Sequence, residues 1–556
     1  MYFPNHRGPA FRPVQFMTMA ASLALGVSLS ATMAVPANAA PTQTAVARTY
    51  QMPLGDYSTP VGLSPFRTGG SETLIPIGDA ALMAIKGAAK GPVQADPTEV
   101  AAPAENAETS GPDRLGLSRI CNTNIATGFA PSDIHGAASS SRLVVVTNVD
   151  IGIYSTSSCG IVSRVPLKSF FGAFAPPSSE TMFDPRVLYD RRVNRFFVTV
   201  ESRNSTNTDQ NQYIAVSTSS TASGWRLYRF RLSRGTSVFC KRAANSFWDY
   251  PNAGSSYYRW FITANDFPAT GGATGAILSI DKIPSLSGGR ITAKCFRNLQ
   301  FNLAPPMVRD TDPFATFIST GSGSGSVLTR RDVRTVGTAS GAAASDTQSS
   351  KPSFSVAAWT AAADAPQPNG QKLDTLDGRF QSNSIQSRGY LWNVHTVNSG
   401  GRAAIRWYRL RKTATSSTVS NTFTFLSNIS TGHLFNPSIA TGSGLAGAPA
   451  LITASRTTAT AGSGRAAHLI FQGLNNTSAS WVYSVAGTST SEFTGCNTMA
   501  RGSCRWGDYS STSMDPTDSA AAWGFNQLIN GTSQFNWFTR GSRGVVNLLY
   551  GPAAQK

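Results

Sequence analysis

The sequence predicts an all-β fold, a seven-bladed β-propeller, on three observations. Short β-branched and aromatic runs recur through most of the chain, each bounded by Gly, Asn, Asp, Ser or Thr, as strands joined by tight turns are. An acidic or amide residue leads into a short strand at Asp133, Asp184, Asp249, Asp312, Asp377, Asn436 and Asp508. The intervals run from about 50 to about 70 residues, longer than compact arrays but suited to large blades. Finally, 41% of the residues are hydrophobic and 14% charged, a balance that supports a large core and argues against wholesale disorder. Six blades is the main rival count.

Taken in order, the chain opens on a targeting segment. His6, Arg7 and Arg12 give a positive start, Phe16 to Val35 an apolar stretch, and Ala37-Asn38-Ala39 a small-x-small cleavage pattern, so residues 1–39 read as a Sec-type signal peptide. The stretch is weakly apolar and has no basic stop-transfer flank, which disfavours a retained membrane span. Residues 40–115 are rich in Ala, Pro, Thr and Gly and read as a poorly ordered linker or pro-segment, with one short helix over Ala80 to Lys90.

The propeller is expected over 116–556. Leu143 to Asn148, Ile151 to Tyr154 and Gly160 to Val162 make a first meander; Arg195 to Val200, Tyr213 to Ser217 and Trp225 to Phe230 make a second. In the last of these, Trp225 and Leu227 face one way and Arg226 and Tyr228 the other. Trp260 to Asn265 with Ala276 to Ile280 follow, then a weaker unit at Thr316 to Ile318, Ser326 to Leu328 and Phe354 to Val356. Tyr390 to His395 with Ala404 to Tyr408, Ala450 to Ala454 with His468 to Phe471, and Ala521 to Phe525 with Phe535 to Phe538 complete the set. A lone meander cannot bury both faces and leaves edges that recruit other chains. Stacking such units around an axis solves both problems.

Six cysteines in an exported chain point to disulfides, and sequence neighbours are the simplest pairing: Cys121 with Cys159, Cys240 with Cys295, Cys496 with Cys504. Each would staple one blade or its loop. With no C-x-x-C and histidines remote from the cysteines, zinc is disfavoured. The net charge of +18 fits an anionic partner, yet no run of five or six basic residues appears, so specific nucleic-acid binding is not expected.

Several units resemble secreted bacterial proteins of the sialidase-like, BNR-repeat propeller superfamily. The residues concerned are Phe183-Asp184-Pro185-Arg186 with Ile214 to Ser217 and Gly224-Trp225, Asp249-Tyr250-Pro251-Asn252, Leu391-Trp392 with Ile405 to Tyr408, and Trp506 to Ser510. The family's Asp-box is incomplete here, since Ser217 to Trp225 keeps Ser, Gly and Trp without the Asp. The resemblance implies three arginines on a substrate carboxylate, a Tyr activated by Glu, and an Asp acid. Beyond residue 115 Glu occurs only at Glu180, Glu201 and Glu492, and no Tyr–Glu pair matches by motif.

The residues at the repeat lead-ins are the candidate ligand-binding set: Asp184, Asp249 and Asp508 with Arg186, Arg379 and Arg505. Clustered carboxylates shift one another's pKa and can divide acid and base roles, or hold a hard cation through oxygen. An Asp before a strand also caps a turn, and each Arg could pair with the Asp of its own segment instead of gripping a ligand. Catalytic residues are not assigned. No cofactor or metal is expected, although a structural calcium ion is compatible with the acids.

The expected function is a monomeric, secreted or cell-surface propeller that binds a glycan or anionic polymer at the channel mouth. The alternatives are an exo-acting sialidase-like glycoside hydrolase and a protein-binding scaffold. No G-x-S-x-G, P-loop or dinucleotide fingerprint is present, which removes those chemistries.

Overall fold

The computed structural model describes residues 45–53, 56–58, 61–62, 99–100, 116–126 and 129–546, apart from short gaps in the last stretch. The signal peptide, the Ala80 to Lys90 helix and most of the linker lie outside the described residues. Strands dominate.

Five sheets stand as separate blades. The first holds His135–Ala138, Arg142–Val146, Asp150–Ser155 and Ile161–Pro166. The second runs through Thr181–Asp190, Arg195–Arg203, Asp209–Ser217 and Gly224–Arg234. The others are built on Phe314–Ser319, Gly432–Thr441 and Ser511–Met514. An eleven-stranded sheet contains two further antiparallel meanders, Phe247–Ser255 to Thr292–Leu299 and Ser384–Ser387 to Ser417–Phe425. They merge because short Pro306–Val308 pairs in parallel with both, Ser255 opposite Met307 and Ile385 opposite Met307. The separate sheets therefore number fewer than the seven expected from the repeats.

The first strands of these meanders form a closed circuit. Thr181–Asp190 touches His135–Ala138 and Phe247–Ser255; from there contacts pass through Pro306–Val308, Ser384–Ser387 and Gly432–Thr441 to Ser511–Met514, which returns to His135–Ala138. The last sheet takes its outer strand, Leu117–Ala126, from the start of the described propeller, paired antiparallel with Trp537–Val545.

Both faces of each sheet are consumed in packing. Trp225 and Leu227 bury against Val144, Val146 and Ile153 of the preceding sheet. Their neighbours Tyr228 and Phe230 bury against Trp260 and Ile262 of the next. Strand alternation thus separates two cores rather than core from solvent, as in stacked blades. Trp392, Trp407 and Trp481 make the equivalent core further round.

All three expected disulfides are present. Two of them differ from the expected role within one blade. Cys121 sits on the outer strand of the last sheet and Cys159 in the loop between Asp150–Ser155 and Ile161–Pro166, so this bond ties the last sheet to the first. Cys240 follows the edge strand Ser237–Val238 of the second sheet and joins Cys295 of Thr292–Leu299 in the next.

The segment expected to be a poorly ordered linker adds edge strands. Val46–Gln51 pairs with Thr292–Leu299, Val61–Gly62 with Gly224–Arg234, and Glu99–Val100 with Ser417–Phe425. Met52 is fully buried, and the Asp56 carboxylate accepts from Arg229 at 2.6 and 2.9 Å and from Arg231 at 3.1 Å. An added strand satisfies outer backbone groups that would otherwise template pairing with other chains.

Candidate functional site

The axis carries two distinct side-chain assemblies. Where the first strands begin, the backbone turns left-handed at Asp133, Asp184, Tyr250, Leu376 and Asn436, with φ between 46° and 62°. Asp and Asn tolerate this region better than most residues, which accounts for Asp133, Asp184 and Asn436 among the seven lead-ins. Register shifts beside Asp249 and Asn436 mark bulges at the same level, a device that bends a strand and re-aims its side chains.

These residues form one buried hub. Asp133 Oδ1 accepts from the Asp508 backbone N–H at 2.8 Å, and Asn148 donates to Asp133 Oδ2 at 2.6 Å while accepting from the Asp184 N–H at 2.7 Å. The Tyr509 hydroxyl donates to Asp184 Oδ2 at 2.5 Å. Arg186 lies 3.0 Å over the Tyr509 ring and donates from Nε to the Pro251 carbonyl at 2.7 Å. Asn436 Nδ2 donates to the Gly507 and Tyr509 carbonyls, both at 3.1 Å. Gln381 joins Asn436 Oδ1 to the Asp508 carbonyl.

The three arginines picked from sequence are buried at the hub. Arg379 is held by both oxygens of Asp377 at 2.6 Å and covers the Tyr250 ring. Arg505 pairs with Asp508 and approaches Asp374 at 3.9 Å. Each therefore has a carboxylate from its own segment. Burial lowers both guanidiniums, but the attached carboxylates outweigh it and hold them above their usual range. Arg186 has no exposed surface, and its Nη1 and Nη2 make no hydrogen bond among the described residues. Burial lowers its pKa, against the charges of Tyr509, Tyr250 and Asp184.

Asp133, absent from the sequence-picked set, is raised well above the usual carboxylate range by burial and then by Asp508 and Asp184. Asp249 stands near Asp184 and Glu201, their oxygens within 4.8 Å of one another and all buried. Oxygen donors so grouped are the type a hard cation would use. Asp312, counted as a repeat lead-in from sequence, is not part of the hub. It follows Pro306–Val308, is partly exposed, and pairs with Lys412 at 2.8 Å.

The four described histidines are buried. His395 Nδ1 bonds the Gly378 carbonyl at 2.6 Å and its Nε2 the Tyr408 hydroxyl at 3.0 Å. Burial lowers its imidazole to about 4 and that of His468 to about 3. Trp506 and Trp248 are core residues, donating to Ser455 Oγ and Gln212 Oε1.

The second assembly lies where the same strands end. A cavity of about 380 Å³ is lined by Val187 to Arg192, Val308 to Asp310, Ile385, Ser387, Arg388, Gly442 to Gly444 and Ser511 to Met514, among others. Arg191, Arg192 and Arg388 are exposed there and Arg309 half-buried. Asp190 accepts from Lys282 and Ser255, and pairs with Arg192 at 3.4 Å. Burial raises the Asp190 carboxyl, yet Lys282 and Arg192 outweigh it and hold it ionised. Sequence reading missed this set because it followed strand beginnings; the matching signal is an arginine just past a strand end, at Arg191, Arg309 and Arg388.

No family model matches the chain, and no curated protein matches it. Among solved structures it is similar to a subtype N10 neuraminidase-like protein of A/little yellow-shouldered bat/Guatemala/060/2010, at 11% identity and a TM-score of 0.33, over 61% of this chain and 95% of that one. It is also similar to the α-L-arabinofuranosidase Arb93A from Fusarium graminearum, at 9% identity and a TM-score of 0.33, over 83% and 99%. An endo-arabinase from Bacteroides thetaiotaomicron gives 11% identity and a TM-score of 0.27, over 66% and 94%. Likeness at this level leaves the chemistry to this chain's own side chains. Among the described residues no helix is long and apolar enough to cross a membrane.

Proposed function

We propose that this is an exported propeller that binds a glycan or anionic polymer on its axis, at the cavity where the first strands end. One observation carries the reading: an open cavity of about 380 Å³ ringed by Arg191, Arg192, Arg309 and Arg388. Among the described residues its lining carboxylates are Asp190 and Asp310, and Asp190 is engaged by Lys282 and Arg192. Glycoside hydrolysis asks for two carboxyls facing each other across the scissile bond, one of them protonated, so binding suits this cavity better than cleavage. In this reading Arg379, Arg505, Asp184, Asp249 and Asp508 hold the hub that fixes the ring.

Counting each meander of the eleven-stranded sheet as a blade supports a ring of seven. Disulfides and the signal-like N-terminus support export, and the repeat motifs support kinship with sialidase-like propellers. The test is titration of the purified chain against neutral and acidic oligosaccharides at low salt, where exposed charges are least screened. Saturable binding that Arg388→Gln weakens is the expected result, and no binding by any oligosaccharide overturns the reading.

A second reading, hydrolysis at the hub, is favoured by the Tyr509–Asp184 pair beside an Asp133 that burial keeps proton-rich. It requires the hub to open to substrate. Glycosidase activity abolished by Tyr509→Phe would support it, and activity unchanged in that variant would end it.

A further inference from the structure

We propose that the axial cavity is a receptor for a terminal phosphate monoester, held by Arg191, Arg309 and Arg388. The inference rests on the binding function proposed above and specifies its ligand.

The first argument is charge. Five cations, Arg191, Arg192, Arg309, Arg388 and Lys282, stand at the cavity or directly behind it, against two carboxylates, Asp190 and Asp310. Asp190 is occupied by Lys282 and Arg192. Asp310 ties its own loop to the one carrying Arg388, accepting from the Asp312 backbone N–H at 3.0 Å and from the backbone N–H of Arg388. Among the described residues Arg191, Arg309 and Arg388 form no ion pair. Arg191 Nη2 donates to the Pro516 carbonyl at 2.9 Å, and Arg309 Nη1 to the Thr441 carbonyl at 2.6 Å and to that of Gly442 at 3.4 Å. These neutral acceptors orient the guanidiniums without cancelling their charge. Burial is the main cause that lowers Arg309 to about 10, and the charges of Arg191 and Arg192 add to it against that of Asp190.

The second argument is shape. The three arginines come from three separate segments, each just past a strand end, and border one space. A carboxylate offers two oxygens and one charge. A phosphate monoester offers three acceptor oxygens and about −1.5 to −2 charges near neutral pH, which suits three guanidiniums better. Ser443 and Ser513 place hydroxyls elsewhere in the lining, where a sugar would sit.

Isothermal titration of the exported full-length chain tests this with five probes: inorganic phosphate, glucose 6-phosphate, glucose 6-sulfate, glucuronate and glucose. Glucose 6-phosphate is expected to bind about tenfold or more tighter than the sulfate ester or glucuronate, the scale of one charged hydrogen bond. Its affinity should fall as pH drops below about 6, where the phosphate takes up a proton. Arg191→Gln and Arg388→Gln, both at exposed positions, should each weaken it about tenfold with unchanged melting temperature. Inorganic phosphate binding as well as the ester would make the free anion the ligand; weaker binding would make it the phosphorylated sugar. The first outcome overturns the monoester as ligand and the second upholds it. Glucuronate or the sulfate ester matching the phosphate overturns it and leaves glycan binding standing. Failure of all five probes together with all oligosaccharides removes both.

Discussion

At Arg186 a guanidinium without exposed surface donates through Nε to the Pro251 carbonyl and rests on Tyr509, while Nη1 and Nη2 make no hydrogen bond. Its charge acts on Asp184 and Asp133 in the most acidic part of the hub. Arg186→Leu breaks no ion pair among the described residues and should cost less than Arg379→Leu, which strands the Asp377 carboxylate and should destabilise the fold by about 3–5 kcal/mol, read from urea unfolding. The histidines give a pH signature. His395 is lowered by burial from 6.5 to about 4, so between those values the unfolded chain binds more protons than the folded one. Stability is full above pH 6.5 and falls as pH drops through the window toward 4, by up to about 3 kcal/mol for this imidazole. Denaturant midpoints measured from pH 7 to 4 in wild type and His395→Gln check it, and the variant should show the shallower decline. Asp133 runs oppositely: its raised pKa means the folded state gains a proton first, so acid relieves the hub there. These residues were only partly legible. Left-handed backbone selects Asp184 and Asn436 among the lead-ins, but Asp133, Glu201 and Asn148 acquire their meaning only when distant segments meet.

The same limit operates on elements. Strand runs such as Arg195–Arg203 and Tyr390–Ser399 were readable because β-branched and aromatic residues repeat along them. Val46–Gln51 was not, since its stability comes from partners such as Cys295 and Lys294 far along the chain. Asp312 was misplaced for a related reason. The inner strand at that point of the ring, Pro306–Val308, is three residues long, too short to show a period, and belongs to the eleven-stranded sheet; the acid nearest it is Asp310. The edge strap makes its own prediction. Asp56→Ala leaves Arg229 and Arg231 without their shared carboxylate and should weaken the strap by about 2 kcal/mol, the scale of a charged hydrogen-bond pair. Hydrogen exchange should rise in residues 46–51 and 56–58 while the distant sheet at Gly432–Thr441 keeps its protection.

For the molecule as a whole, the ring is secured by one strand pairing and one disulfide at the same seam. Cys121 and Cys159 are 38 residues apart in sequence, whereas Cys496 and Cys504 are separated by only 8. Cys121→Ser with Cys159→Ser should cost roughly 2–4 kcal/mol, and the shorter loop pair less, as seen in melting curves of each double variant. Closure of this kind was legible in outline, because repeated meanders demand partners on both faces. The way two meanders merge through Pro306–Val308 was not, because parallel bridging of a three-residue strand leaves no pattern to read.

The seam also sets an order of events. Leu117–Ala126 leaves the ribosome some four hundred residues before Trp537–Val545, so a nascent chain carries an orphan strand until synthesis is nearly done. A rearranged gene that starts at residue 129 and appends 116–126 after 546 would deliver the two partners back to back, and its product should reach the native state sooner than the natural chain.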